Sequence, residues 1–528
     1  INFLSTNKPY SFSGSLPFQR PTFSQNSKPK PNSICIKVSY ERGNLRDTNF
    51  ALSVKVWDYI FGNSAISTNR TFISHPDNTG VYSFTVTDVN DFVYFSLIEA
   101  KKQNNADHDR GRGLIELYLA QQGDTIFINI KNNAQKFNDP NNISFHGANT
   151  FAYTFQKEAN VIERRITDSI FSLQKRVSNE FKDSLDYQRY YSEVLPSLRW
   201  VENRLHIIDS VQLSLLQSIK NKINGKFYNL LACEIVGKNE RSLCLAYQGS
   251  YATMRKYITA PKRDSLRKSI KIFYCTENNI SKGFSPDSGC HKSFMYIDYL
   301  INRAILESDY NFNLAFDLIT SRYSGNLRDQ LIVSFLSQNY TKILSIKKLM
   351  ANAFAIVNFE PYLSQLHYLN EIAAIGKPAF NFNLPDKNGR LVRLSDLKGK
   401  VVFIDFWYVG CISCLKYFKT DVSNAEQYFK NNPDVIFITI CLNTISEDWK
   451  KALLGKQGIY TSDLALNLIA EGDIGKLIEE KYMVKGAPRP ILVDRNGVIF
   501  SNNFHELRDN SNGKALINTI QRAVNMSK

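Results

Sequence analysis

At 528 residues and 60.5 kDa the chain is too long for a single hydrophobic core, and its length points to about three domains. With 43% hydrophobic and 22% charged residues its composition is that of a globular protein, and no run approaches the roughly 18 consecutive apolar residues of a membrane span. The net charge of +16 lies mostly upstream of residue 371. It includes neither a dense basic run nor a nucleic-acid motif, so it reads as a solvated basic surface, with contact to an anionic membrane as the alternative. The chain begins at Ile1 without a basic and then apolar leader, which is compatible with a targeting peptide already removed.

Residues 1–32, rich in Ser, Asn, Pro and Lys, read as a flexible leader. Over 33–147 the hydrophobic period is two: Leu52, Val54 and Val56, then Tyr82, Phe84 and Val86, then Ile126, Ile128 and Ile130 alternate with polar residues. That pattern predicts an antiparallel β domain, a small sandwich or barrel. Over 148–373 the period becomes helical, with stripes at Ile162, Ile166 and Ile170 and at Leu327, Leu331 and Phe335, and an all-α domain of about eight helices is expected. Tyr187, Tyr190, Tyr191 and Trp200 read as packing residues rather than a groove. Over 374–528 strand and helix signals alternate and end in a hairpin and a helix, predicting an α/β domain with a central sheet covered on both faces.

Eight cysteines punctuate the chain. Cys275 and Cys290 close a loop that a disulfide could staple in an oxidising compartment, Cys233 and Cys244 form another spaced set, and Cys35 and Cys441 stand alone. Cys441 and His505 read as structural. No second CxxC and no nearby histidine set completes a four-ligand zinc site, so neither a metal nor a cofactor is expected.

Cys411 and Cys414 carry the chemistry. Val401-Val402-Phe403-Ile404-Asp405-Phe406 has the composition of a buried strand, and the apolar spacing after Ser413 is helical, so Cys411 falls where a strand turns into a helix. Unpaired backbone N–H groups and the helix dipole favour a thiolate there. Cys411 is then the nucleophile of thiol-disulfide exchange and Cys414, one turn on, the resolving thiol; a structural CxxC disulfide or half a metal site is the plainer alternative.

Several ordered motifs extend this reading. Gly376-Lys377-Pro378-Ala379-Phe380, Leu394-Ser395-Asp396-Leu397-Lys398-Gly399-Lys400, the CxxC stretch, Tyr482-Met483-Val484-Lys485-Gly486-Ala487-Pro488 and Val493-Asp494-Arg495-Asn496-Gly497 together resemble the TlpA-like extracytoplasmic thiol-disulfide oxidoreductases of the thioredoxin superfamily. The β and helical segments before them are similar to the N-terminal extension of many such proteins of Bacteroidetes. The resemblance implies a thioredoxin fold over 374–528 and a buried proton-accepting carboxylate at Asp405, six residues before Cys411. It also implies a cis-proline at Pro488, favoured over Pro490, that turns the backbone of small Ala487 toward an incoming chain. Trp407 would shield the site and border the substrate, with plain core packing as its alternative; for Asp405 the alternative is pairing with a lysine at a sheet edge. Gly410 stands where this family often has Trp, and Ile412-Ser413 where Gly-Pro is common, which leaves redox potential and substrate choice open.

The implied activity is reduction of protein disulfides in the periplasm or cell envelope, through a mixed disulfide. Its partners would be protein disulfide substrates and an external electron donor, a membrane thiol reductase being one candidate, with membrane proximity but no nucleic acid. Two alternatives stand beside it: a binding or scaffold protein with a vestigial redox domain, and a peroxiredoxin-like peroxidase, against which Tyr408 occupies the position where that chemistry has Thr.

Overall fold

The computed structural model describes residues 32–41, 51–61, 67, 69–103, 106–131, 142–180, 187–257, 268, 289–371, 375–442, 446–455, 458–484, 486–508 and 511–526. The expected leader lies, apart from residue 32, outside them.

Eight strands come first: β1 Ile34–Tyr40, β2 Leu52–Trp57, β3 Arg70–Ser74, β4 Val81–Val86, β5 Phe92–Gln103, β6 Ala106–Gln121, β7 Thr125–Ile130 and β8 Ile143–His146. They form two four-stranded sheets, ordered β4-β1-β7-β8 and β3-β2-β5-β6. One pairing departs from the antiparallel expectation, because β1 runs parallel to β7, Ile36 opposite Ile126 and Val38 opposite Ile128. Period-two alternation gives which face of a strand is buried but carries no information on strand direction, and a crossover through the second sheet brings β7 back in the direction of β1. The apolar residues that alternate in sequence, Val54, Val56, Phe84, Val86, Ile126 and Ile128 among them, are those that are buried.

The helical segment has eight α-helices among the described residues: α1 Thr150–Glu180, α2 Tyr187–Ser218, α3 Gly225–Tyr257, α4 Phe294–Glu307, α5 Phe312–Arg322, α6 Gly325–Asn339, α7 Ile346–Ile356 and α8 Tyr362–Glu371. Tyr153 and Phe155 of α1 and Phe227, Leu230 and Leu231 of α3 share one buried cluster with the strands, so sheets and first helices have a common core. Polar contacts reinforce that junction: Ser293 Oγ donates to the half-buried Glu234 at 2.6 Å, Tyr94 Oη also donates to Glu234, and Lys292 pairs with Asp91 at 2.8 Å.

A disulfide joins Cys233 of α3 to Cys290, just before α4. It corrects the expected Cys275–Cys290 loop; Cys275 itself lies outside the described residues. Cys244 is a buried residue on the same helix as Cys233, roughly three turns or 16 Å along, beyond the reach of a disulfide. Beside the bond α3 and α4 meet closely, a Cβ on Gly237 falling 2.3 Å from the backbone nitrogen of Tyr296. The bond closes a sequence separation of 57 residues. The double replacement C233A/C290A is therefore expected to destabilise the chain by about 2–4 kcal/mol, read as a lower urea midpoint.

The last segment opens with a short hairpin, β9 Asn383–Pro385 and β10 Leu391–Arg393, followed by a five-stranded sheet ordered β13-β12-β11-β14-β15. Its strands are β11 Val401–Trp407, β12 Val435–Leu442, β13 Leu466–Ala470, β14 Arg489–Val493 and β15 Ile499–Ser501. β11 is central, parallel to β12 and antiparallel to β14, and all seven of its residues are buried. Its uninterrupted apolar run reflects that double coverage. Val402, Ile404 and Phe406 belong to a cluster shared with Leu331, Phe335 and Tyr362 of the helical segment. Val401 and Phe403 instead pack beneath Tyr417, Phe418 and Val422 and the terminal helix.

On that second face lies a nearly continuous helix: α9 Ile412–Tyr417, a π turn at Phe418–Val422, and α10 Ser423–Phe429. Then come α11 Ser446–Leu453, α12 Gly472–Lys481, α13 Phe504–Leu507 and α14 Lys514–Met526. β13, absent from the sequence reading, sits between Asp463 and Glu471, where two buried clusters receive its alternate residues.

Candidate active site

Cys411 is the N-cap residue of α9, and its Sγ accepts the backbone N–H of Cys414 at 3.1 Å. The two cysteines are joined as a disulfide. Gly410, exposed and with φ at +89°, makes the left-handed turn from β11 into the helix that a side chain would oppose. Its N–H donates to Tyr460 Oη at 2.9 Å.

Both cysteines are 2% exposed, in a small cluster with Trp407, Cys441, Trp449, Tyr460 and Ile469. Trp407 is wholly buried and stacks on Tyr460 at 4.6 Å between centroids. It forms the floor of the site, packed in the same cluster as both cysteines. Ile412 lies outward, 81% exposed. Tyr460, fifty residues downstream of Gly410, carried no sequence signal, since an isolated aromatic gives no indication of what it stacks on.

Facing the disulfide is the loop before β14, where the Ala487–Pro488 bond is cis. Pro490 instead lies within β14, opposite Asp405. Cys411 Sγ lies 3.6 Å from the Ala487 carbonyl oxygen, and Ser413 Oγ donates to that oxygen at 3.3 Å. Ser413 therefore ties the helix start to the proline loop, a contact that the Ile412-Ser413 dipeptide makes possible and a Gly-Pro centre would not.

Asp405, in the central strand, is 2% exposed, and its Oδ1 has no hydrogen-bond partner among the described residues. The central position removes the sheet-edge lysine considered for it. Burial pushes its carboxyl up to about 8; Arg508 and the Arg489 backbone N–H pull the other way, and the charge of Glu426 adds to the rise. A carboxyl so raised exchanges its proton near neutral pH rather than in the acid range. Arg508 is fixed by a bond to the Pro488 carbonyl at 3.4 Å and lies over Tyr417. Glu426 and Arg508 were not singled out in the sequence, where each looks like an ordinary solvated charge. Among the described residues no cluster of His, Cys, Asp and Glu could hold a metal ion.

A buried dithiol or disulfide pair at the start of a helix, on a mixed five-stranded sheet with helices on both faces, defines a thioredoxin-fold redox protein. The Redoxin family matches residues 374–517. Thiol-disulfide oxidoreductase ResA of Bacillus subtilis is 46% identical over 56 residues, 11% of this chain and 31% of that protein. ResA of Bacillus cereus is 35% identical over 151 residues, covering 29% of this chain and 79% of its own length. Among solved structures, the thioredoxin domain of a thiol-disulfide oxidoreductase from Bacteroides vulgatus is 30% identical, covering 28% of this chain and 96% of its own, with a TM-score of 0.24. The chain spans under a third of the first of these relatives. Through its C-terminal region it belongs to the ResA- and TlpA-like thiol-disulfide oxidoreductases of the thioredoxin superfamily.

Proposed function

We propose that the protein reduces disulfides of protein substrates outside the cytoplasm. The carrying observation is the placement of Cys411 at the helix start with its sulfur on the Cys414 N–H, which in the dithiol form favours the Cys411 thiolate. That thiolate attacks one sulfur of the substrate disulfide, forming a mixed disulfide and expelling the other sulfur as thiolate. Cys414 then gives its proton to Asp405 and attacks Cys411 Sγ. The second substrate thiolate leaves, and the Cys411–Cys414 disulfide remains. An external dithiol, for which a membrane thiol reductase is a candidate, returns two electrons and two protons.

Ala487, partly exposed beside Cys411, offers its backbone to the substrate chain, with Pro488 behind it and Trp407 closing the floor. The reducing direction follows the resemblance. An extracytoplasmic setting suits a chain whose Cys233–Cys290 disulfide lies far from the redox pair in sequence, since such structural bonds persist where glutathione does not reduce them. No helix among the described residues is long and apolar enough to cross a membrane. The reading is tested by catalysed reduction of insulin with dithiothreitol as donor. Wild-type protein should accelerate it and C411S should not; equal rates with both would refute the proposal.

A further inference from the structure

Asp405 can take the proton of Cys414, but at 2% exposure it has no direct contact with bulk water through which to lose it. A second carboxyl lies on the same face of the sheet. Glu426, on α10, is 1% exposed, and its Oε1 also has no hydrogen-bond partner among the described residues. The neighbouring α10 residues Ala425 and Phe429 pack with Phe403 of β11, two residues before Asp405 and on its side of the sheet.

From Glu426 a polar chain leads outward. Ser462 Oγ donates to Glu426 Oε2 at 2.6 Å, and Ser462 is itself partly exposed, next to the exposed Asp463. A side branch returns inward: Asn467 Nδ2 donates to the Ser462 carbonyl at 3.0 Å, and Thr439 Oγ1 donates to Asn467 Oδ1 at 2.8 Å. Thr439 is the residue paired with Asp405 across β11 and β12, so its side chain points to the same face. The polar groups behind the cysteines thus form one patch with Asp405 at its inner end and Ser462 at its outer end.

We infer that Glu426 is the second carboxyl of a proton relay, taking the Cys414 proton from Asp405 and releasing it to solvent at Ser462. The inference rests on the dithiol mechanism proposed above. The transfers balance: Cys414 thiol and Asp405 carboxylate become thiolate and carboxylic acid; the proton passes to the Glu426 carboxylate, restoring Asp405; Glu426 then loses it to water. No oxidant or reductant is needed beyond the substrate disulfide.

The titration order agrees with this geometry. Burial raises Glu426 to about 7 against about 8 for Asp405, so Glu426 ionises first and its charge then strengthens the hold of Asp405 on its proton. Other charged groups around the pair are otherwise engaged. Arg508 is held on the Pro488 carbonyl, Asp421 accepts the Gly513 N–H at 2.9 Å, Arg522 pairs with Glu506, and Lys387 pairs with Asp463 at 2.8 Å. From β14, Arg489 donates through Nη1 to the Asn502 carbonyl at 2.9 Å, while its buried Nε and Nη2 meet no hydrogen-bond partner among the described residues.

The test follows the full-length, reduced chain reacting with an aromatic bis-nitrobenzoate disulfide, which releases one coloured thiolate when Cys411 attacks and a second when Cys414 resolves. Glu426→Gln keeps the side-chain shape and the Ser462 contact. It should leave the first release unchanged, slow the second about tenfold near neutral pH, and move the pH midpoint of the second downward. Glu426→Asp should recover most of the rate. A first release at the wild-type rate also reports that Cys411 is still activated at the helix start, which an unfolded chain, reacting at all its exposed thiols at the slower rate of ordinary cysteines, does not preserve. A second release at the wild-type rate and midpoint in Glu426→Gln overturns the relay while leaving the dithiol mechanism intact; absence of the first release in wild-type protein overturns both.

Discussion

Replacing Cys414 by serine is expected to stop turnover and leave Cys411 covalently joined to its substrate. Cys414 is held in bonding position to the Cys411 sulfur, and a neighbouring thiol held in place acts at an effective concentration far above that of any thiol in solution. Insulin reduction by C414S should therefore fall about a thousandfold or more. Non-reducing electrophoresis of the cell envelope should show an adduct that collapses on adding dithiothreitol, and mass spectrometry of the adduct would identify the partner. The companion variant C411S should give no adduct, because Cys411 alone of the pair holds the N-cap position that favours a thiolate, beside the Ala487 backbone.

Asp405→Asn should separate catalysis from stability. With the proton acceptor removed, resolution by Cys414 should slow about a hundredfold, while the first attack by Cys411 changes little. Stability should move the opposite way. The carboxyl of Asp405 is raised from 3.8 in the unfolded chain to about 8 in the folded one, so between these values the folded chain binds more protons than the unfolded chain. Its contribution is most favourable at pH below about 4 and is lost progressively as pH rises toward about 8, where the folded form also ionises. At pH 7 the unfolded carboxyl is ionised and the folded one mostly protonated, and the proton uptake this requires costs on the order of 4 kcal/mol. Asp405→Asn should therefore raise the urea midpoint at pH 7 and flatten its decline between about pH 5 and pH 8. A variant that resolves at the wild-type rate would remove Asp405 from the mechanism, and one with an unchanged pH dependence of stability would show that the carboxyl is already solvated.

What could be read from the sequence and what could not divide along physical lines. The cysteine pair, Asp405 and Pro488 stand at fixed offsets from one buried strand, so a linear pattern locates them. Val401 to Phe406 reads as a doubly covered strand because six apolar or buried positions in succession allow no solvent face. Glu426 follows Cys411 by fifteen residues and is flanked by Ala425 and Gln427, a spacing no different from that of a surface charge on a helix. Its burial depends on the π turn at Phe418–Val422, which shifts the register of the following turn and is not encoded by any periodicity. The Cys233–Cys290 bond could not be chosen from four spaced cysteines, because pairing is set by how α3 and α4 pack. The parallel pairing of β1 and β7 was hidden for a similar reason: a strand's side chains alternate identically in both directions. Neither the burial of Trp407 nor its stacking on Tyr460 could be read from an isolated aromatic at the end of a strand.

The central claim is that Cys411 and Cys414 form a reversible two-electron couple within an otherwise static set of cysteines. Equilibration of the full chain in glutathione buffers of graded potential, followed by acid quenching, alkylation and peptide mass spectrometry, measures this directly. The account predicts that the Cys411–Cys414 pair titrates between disulfide and dithiol with a two-electron slope while Cys233–Cys290 stays closed throughout. A Cys411–Cys414 bond that remains closed under conditions that open Cys233–Cys290 would contradict it.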